Sequence, residues 1–277
     1  MVFKNIKSSC WLFDIDGVLT DPQKKKVPAA LLLELSKIIN SGQPVAFVTG
    51  RSVTWARERV IDKLSNKKPK NVFISAEKGG VWSSFNGQKW TLNIDEYLAP
   101  PQKLIAKVEK LVKEKFGGTM FLDPKHTMVS IEVKDGIPLQ KFSTLQKELD
   151  WRLRSFLKEA RLEDQFKIDS AIIATDIEHK QAGKYLGTIR VFDWLQEQNL
   201  KPDHFFAFGD THGDVNIART VFEKGHEVEF VFTGKKNLLP VKKLPFPTTV
   251  FDGEYSQGTL KYLTKLSPHS QSPILIS

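Results

Sequence analysis

Phe13-Asp14-Ile15-Asp16-Gly17-Val18-Leu19-Thr20-Asp21 places two acidic residues and a glycine directly after the apolar run Trp11-Leu12-Phe13. The run reads as a short buried strand, and the glycine lets the chain turn sharply once the carboxylates have passed. The segments that follow decide what that strand belongs to. Ala29 to Ile39 sets Leu31, Leu35 and Ile38 on one helical face, and Val45 to Val48 reads as a second buried strand. A charged helix is expected around Ala56 to Leu64, and Val72-Phe73-Ile74 reads as a third strand. Short all-apolar strands alternating with helices predict an α/β domain built on a parallel sheet covered on both faces.

The rhythm changes after about residue 84. Leu104, Val108, Leu111 and Val112 form a helical stripe that ends near Phe116-Gly117-Gly118. Strands are expected around Met120–Leu122 and Met128–Val133. A long helix marked by Leu139, Phe142, Leu149, Leu153 and Phe156 follows, then strands near Phe166–Ile168 and Ala171–Ala174. The α-β-β order, met twice, predicts a separate α+β module over 83–175, inserted into an α/β domain formed by 1–82 and 176–266. The α/β rhythm resumes with a helix around Gly187–Gln198, the strand His204–Phe208, a helix near Val215–Phe222 and strands at Val228–Phe232 and Thr248–Phe251. Residues 267–277 read as a flexible tail.

In an open parallel sheet, ligands bind outside the carboxyl ends of the strands. Four polar, glycine-bearing segments stop at that edge: the opening stretch, Val48-Thr49-Gly50-Arg51, Ser75-Ala76-Glu77-Lys78-Gly79-Gly80 and Phe208-Gly209-Asp210-Thr211-His212-Gly213-Asp214. Four aspartates gathered there (Asp14, Asp16, Asp210 and Asp214) need a counter-charge. A hard divalent cation, Mg²⁺, suits carboxylates shared with water and a phosphate oxygen. Asp14 is then placed to attack phosphorus, and Asp16 to protonate the leaving oxygen and later deprotonate water. Thr49 and the amides after it can hold phosphate oxygens at a helix start. A lysine is needed to balance the anionic transition state.

These motifs resemble those of the haloacid dehalogenase (HAD) superfamily of phosphatases. The resemblance makes Asp14 the nucleophile, Asp16 the acid/base, Thr49 the second-motif hydroxyl and Gly209-Asp210 through Asp214 the fourth motif, with magnesium as the metal. It implies a Rossmann-like core, and it likens the inserted module to a C2-type cap, as in trehalose-phosphate and sucrose-phosphate phosphatases, Cof-type phosphatases and phosphomannomutase. The third-motif lysine is assigned to Lys184, with Lys180 as its rival. Gly213 stands where the fourth motif often has asparagine. Glu77-Lys78-Gly79-Gly80 is similar to a turn that such proteins carry after the third strand. Caps of this kind close over the site, which suggests a small phosphorylated metabolite, a sugar phosphate, as substrate.

Further substrate contacts are expected from Gly50, Arg51 and Glu77 at the sheet edge. In the module, His126, Met128, Ser130 and Glu132 share one strand face, opposite Val129, Ile131 and Val133. That polar set, with Lys125 at the strand entrance, makes Lys125, Ser130 and Glu132 candidates to read a sugar. Asp21 reads as a turn or helix-start residue, and His212 as shaping the metal loop.

Composition narrows the alternatives. Net charge is +9, from 41 Lys and Arg against 32 Asp and Glu, with clusters at Lys24–Lys26, Lys67-Lys68, Lys235-Lys236 and Lys242-Lys243. No aromatic residues alternate with the clusters, so nucleic acid is not the expected partner. No apolar run approaches the roughly 20 residues that span a bilayer, and MVFKNIKSSC lacks a secretory h-region. A cytoplasmic protein is expected. The single cysteine, Cys10, excludes an internal disulfide and reads as a core residue. Gly209-Asp210-Thr211-His212-Gly213 also resembles a segment of calcineurin-like phosphoesterases, but the DxH and GNH[ED] segments of that class are absent. A phosphomutase and a non-catalytic phosphate-binding protein remain as alternative readings; the motifs leave the oligomeric state open.

Overall fold

The computed structural model describes residues 8–21, 26–65, 69–239 and 243–266. The expected tail over 267–277, residues 1–7, and Lys24, Lys25, Lys67, Lys68 and Lys242 of the basic clusters lie outside the described residues. The chain begins with β1 (Ser9–Phe13), α1 (Ala29–Asn40), β2 (Val45–Val48), α2 (Val53–Arg59), β3 (Val72–Ala76), β4 (Val81–Ser84) and β5 (Asn93–Ile94). It continues through α3 (Gln102–Leu111), β6 (Met120–Asp123), β7 (Met128–Val133), α4 (Leu139–Glu159), β8 (Phe166–Ser170) and β9 (Ala174–His179). It ends with α5 (Lys184–Glu197), β10 (His204–Gly209), α6 (Val215–Glu223), β11 (Glu227–Phe232), β12 (Thr248–Val250) and α7 (Tyr255–Leu266).

Two compact units result. One holds the chain up to Asn93 and from Lys184 onward, and the other holds Ile94–Gly183. The division falls later in the chain than positions 83 and 175. On the first side β4 and β5 continue the large sheet, and on the second β9 stays in the smaller sheet as far as His179.

The large sheet has the order β12-β11-β10-β1-β2-β3-β4-β5. β12 through β3 are parallel, and β4 returns antiparallel to β3. β1 is buried along its whole length because it lies mid-sheet with both faces covered. On one face Trp11 stacks on Phe206 at 4.4 Å and Phe13 on Phe208 at 4.5 Å, with Tyr262 of α7 edge-on to Phe208. The one polar atom of Trp11 donates to Gln43 Oε1 at 2.6 Å, so the indole is buried without stranding its N–H. On the other face Cys10, Leu12, Ala46, Val48, Phe205 and Ala207 pack with Val191, Trp194 and Leu195 of α5 and Val215, Ile217, Ala218 and Val221 of α6.

The second unit is a four-stranded antiparallel sheet, β6-β7-β9-β8, with α3 and α4 packed on one face. Val129, Ile131 and Ile177 point into that core with Leu104, Val108, Phe142, Leu149 and Leu153. The strand expected over Ala171–Ala174 begins only at Ala174. Ala171 N–H donates to Ala174 O and closes the turn, which leaves Ile172 79% exposed. The strand itself, Thr175-Asp176-Ile177-Glu178-His179, turns Ile177 into the helix-covered core and also buries Thr175, Glu178 and His179. The helix expected over Ala56–Leu64 starts earlier, at Val53, where Ser52 Oγ accepts from Trp55 N–H at 3.2 Å as an N-cap.

Candidate active site

Strand order reverses at β1 and β10, which are hydrogen-bonded neighbours, so their carboxyl ends open a crevice at the sheet edge. Asp14 leaves β1 with its N–H donating to Phe208 O at 3.1 Å. Asp210 leaves β10. A single helical turn, His212–Asp214, then brings Asp214 back over the strand end. Asp214 Oδ2 accepts from Asp210 N–H at 3.2 Å, Thr211 N–H at 2.9 Å and Thr211 Oγ1 at 2.6 Å. Asp14, Asp210 and Asp214 each present a carboxylate oxygen to the same place, all within 4.8 Å of one another. His212 is exposed on the turn that shapes this loop.

Lys184, the first residue of α5, reaches into this group. Its Nζ lies 2.6 Å from Asp14 Oδ1 and 2.9 Å from Asp214 Oδ1, and donates to Val48 O at 2.7 Å. One ammonium therefore ties together the ends of β1, β2 and β10. Lys180, its rival by sequence, is exposed in the other unit, where its N–H donates to Gln165 O at 2.8 Å.

Three carboxylates against one ammonium leave an excess of two negative charges, the charge of one divalent cation. Burial, with Asp214 and Asp16 adding repulsion against the pull of Lys184, pushes the Asp14 carboxyl up to about 7. Burial and repulsion from Asp14 and Asp214 push Asp210 up to about 8. Burial also opposes the charge on Asp214, but Lys184 and the Thr211 donors outweigh it and hold that carboxyl below its ordinary value. Asp14, Asp210 and Asp214 therefore fit a hard divalent cation, which would let all three ionise together.

A pH dependence follows. The folded pKa values of Asp14 and Asp210 lie above their unfolded values, so their protonated forms favour the folded state at acid pH. That contribution is lost as pH rises through about 7 to 8. Asp214 acts the other way, but only as pH falls below the ordinary carboxylate range. In chelator the melting temperature should fall from about pH 5 to about pH 8, and magnesium should restore it most at the alkaline end. A magnesium effect independent of pH would contradict this charge balance.

Asp16 is placed differently. Arg51 grips its carboxylate with two hydrogen bonds, Nε to Oδ2 at 2.8 Å and Nη2 to Oδ1 at 3.1 Å, and lies 5.0 Å over the Trp55 ring. The cluster of three carboxylates forms without Asp16, whose side chain is paired with Arg51. Thr49 is fully buried at the end of β2, where its Oγ1 accepts from Arg51 N–H at 3.1 Å. Gly50 follows, with Lys78 beside it. Glu77 N–H donates to Arg51 O and Lys78 N–H to Thr49 O, both at 3.0 Å, so the turn after β3 rests on the turn after β2. Glu77 (φ 48°) and Lys78 (φ 55°) both take the left-handed conformation that non-glycine residues rarely adopt, and Glu77 is 1% exposed. Asp21 accepts from Ser256 Oγ at 2.8 Å, at the start of α7.

Two residues of this floor were invisible in the motifs. Thr233, just past β11, donates from Oγ1 to Gly17 O at 2.9 Å and so ties the first acidic loop to the strand beyond β10. Gly234 follows it, and a Cβ there would lie 1.9 Å from Asp210 O; a Cβ on Gly17 (φ 72°) would lie 2.0 Å from Asp210 Oδ2. Thr-Gly after an apolar strand is the signal that could have found the pair. Gly234→Ala should displace Asp210 and cost about 3 kcal/mol or more, with weaker magnesium stabilisation in the same melts. A variant with unchanged melting and magnesium response would show that Asp210 is not confined there.

Lys125, Ser130 and Glu132 lie in the inserted unit, around the sheet face turned away from α3 and α4. Ser130 Oγ donates to Asp176 Oδ1 at 2.6 Å, and Lys125 Nζ lies 3.3 Å from Asp123 Oδ2. Glu132 is buried on the same strand.

A parallel sheet reversing at its first strand, acidic strand ends around one lysine, and an inserted α+β unit make up the fold of haloacid dehalogenase-like hydrolases. Among solved structures the chain is similar to a haloacid dehalogenase-like hydrolase from Bacteroides thetaiotaomicron, with a TM-score of 0.62 and 14% identity over 94% of this chain and 99% of that one. It is also similar to trehalose-6-phosphate phosphatase from Aspergillus fumigatus, with a TM-score of 0.53 and 17% identity over 94% of each chain. A third, a trehalose-6-phosphate phosphatase related protein, has a TM-score of 0.57 and 13% identity over 93% of this chain and 96% of that one. No family model and no curated protein matches the chain. At these identities the likeness is one of fold.

Proposed function

We propose that this chain is a phosphohydrolase that forms a phospho-aspartate on Asp14, with magnesium as cofactor and a small phosphorylated metabolite, a sugar phosphate, as substrate. The observation that carries this reading is the Lys184 ammonium between Asp14 and Asp214, with Asp210 beside them. A cation held by Asp14, Asp210 and Asp214 would offset the repulsion between the Asp14 carboxylate and a phosphate dianion.

Asp14 attacks phosphorus through one carboxylate oxygen, and the bond from phosphorus to the ester oxygen breaks. Asp16 gives its proton to that leaving oxygen. It later takes a proton from the water that attacks the acyl phosphate, which frees Asp14 and releases inorganic phosphate. Lys184 holds Asp14 in place and balances charge on the transferring group. Arg51 positions Asp16 and exchanges it for a phosphate oxygen when substrate enters, while Thr49, Gly50 and Glu77 frame the phosphate. Lys125, Ser130 and Glu132 of the inserted unit, acting as a C2-type cap, contribute to recognition of the sugar.

No helix among the described residues is long and apolar enough to cross a membrane, and we place the protein in the cytoplasm. The test is phosphate release from a panel of phosphorylated sugars, nucleotides and an aryl phosphate, with magnesium and with EDTA. Magnesium-dependent release, greatest with a sugar phosphate, is the expected result. Isomerisation of a sugar phosphate without release would replace hydrolysis by a mutase reaction.

A further inference from the structure

Arg51 and Asp16 hold each other with two hydrogen bonds, yet the two halves of the pair are anchored unequally. The Arg51 side chain is 8% exposed and the Asp16 side chain 42%. Arg51 is also fixed along its backbone, where its N–H donates to Thr49 Oγ1 at 3.1 Å and its carbonyl accepts from Glu77 N–H at 3.0 Å. Its guanidinium lies 5.0 Å over the Trp55 ring, inside the roughly 6 Å at which a cation is drawn to an aromatic face.

Trp55 owes its place to the start of α2. Ser52 is the N-cap, and its Oγ accepts from Trp55 N–H at 3.2 Å, which fixes the backbone from which the indole departs. The partly buried ring then does for Arg51 what a second carboxylate could not. A carboxylate there would accept from the guanidinium and compete with an incoming phosphate for its donors. A ring face attracts the cation and leaves the fork of N–H groups for oxygen ligands, as the two bonds to Asp16 show.

We infer that Trp55 is a positioning residue that makes Arg51 the fixed member of the pair, so that a phosphate group displaces Asp16 and finds the guanidinium already in place. This role rests on the phosphatase reading above. Carboxylate and phosphate present similar pairs of oxygens to the guanidinium fork, so one replaces the other without movement of Arg51. Asp16 is the member that moves. Its side chain is half exposed, and the chain turns immediately after it at Gly17 (φ 72°).

Two measurements test this, and the first needs no turnover. It is hydrogen exchange at the Arg51 Nε–H, followed by ¹H–¹⁵N correlation NMR of the full chain and assigned by the signal that Arg51→Lys removes. Exchange should be about tenfold faster in Trp55→Leu and close to the parent in Trp55→Phe, which keeps a ring face. The second is steady-state phosphate release. Trp55→Leu should raise KM about tenfold with kcat nearly unchanged, the pattern of a contact made equally in ground and transition states. Trp55→Phe should recover most of that loss. In an Arg51→Met background Trp55→Leu should add nothing, because residues that act as one unit are not additive. Equal exchange in parent and Trp55→Leu, no rescue by Trp55→Phe, additive losses with Arg51→Met, or losses that simply follow melting temperature would each overturn the role. If the parent chain releases phosphate from no ester, the phosphatase reading fails, and the exchange rates still decide whether Trp55 holds Arg51.

Discussion

Asp14→Asn is expected to lose turnover by about 10⁴-fold or more while melting no lower than the parent chain in chelator at alkaline pH. The two effects have opposite signs for one reason. In the proposed mechanism Asp14 supplies the attacking oxygen, so an amide in its place cannot form the acyl phosphate. The same carboxylate is buried and, against the pull of Lys184, crowded by Asp214 and Asp16, which pushes its pKa up to about 7. Above that pH its charge works against the fold, and asparagine removes the charge while keeping the shape. Phosphate release and thermal melts on one preparation test both halves. Near-normal turnover would end the phospho-aspartate mechanism. A large drop in melting temperature would mean that Asp14 is held mainly as the partner of Lys184.

Lys184→Met should be damaging in both respects. Removing one partner of a buried charge group leaves the others uncompensated, at a cost of about 3–5 kcal/mol. Here the excess at the strand ends rises from two negative charges to three. Turnover should fall by about 10³-fold, and stability should depend more steeply on magnesium than in the parent. Lys180→Met offers the matching control. Its side chain is exposed, and surface changes of this kind stay within about 0.5 kcal/mol. If Lys180→Met were the variant that lost activity, the assignment of the lysine would have to be reversed.

The large sheet was legible because its parallel strands are short runs with almost no polar residue, as in Val45–Val48 and Phe205–Phe208. β9 was misplaced by three residues because Ala171-Ile172-Ile173 looks like a strand core but forms the hairpin turn. α7 was missed: much of its inner face is made of the small residues Ser256, Gly258 and Thr259, which do not mark a buried face as leucine or valine would. The acidic strand ends could be read because loops at this edge must carry unusual residues to do chemistry. The partner of Asp16 could not: Arg51 stands 35 positions away, and no local pattern tells a guanidinium that caps a helix from one that grips a carboxylate. Thr233 and Gly234 escaped for a related reason. Their role is to leave room for Asp210, and a requirement for space has no motif.

Cys10 is the chain's one cysteine, and it is fully buried in the middle of β1. Burial pushes its thiol further from ionisation, and the thiolate is the form that reacts. The native chain should therefore react poorly with maleimides. Cysteines introduced at Leu33 on α1, 58% exposed, and at Ile172 in the β8–β9 turn would be the sites a dye reaches. One label on each unit would make the distance between them, and its response to substrate, a direct optical measurement on an otherwise unmodified protein.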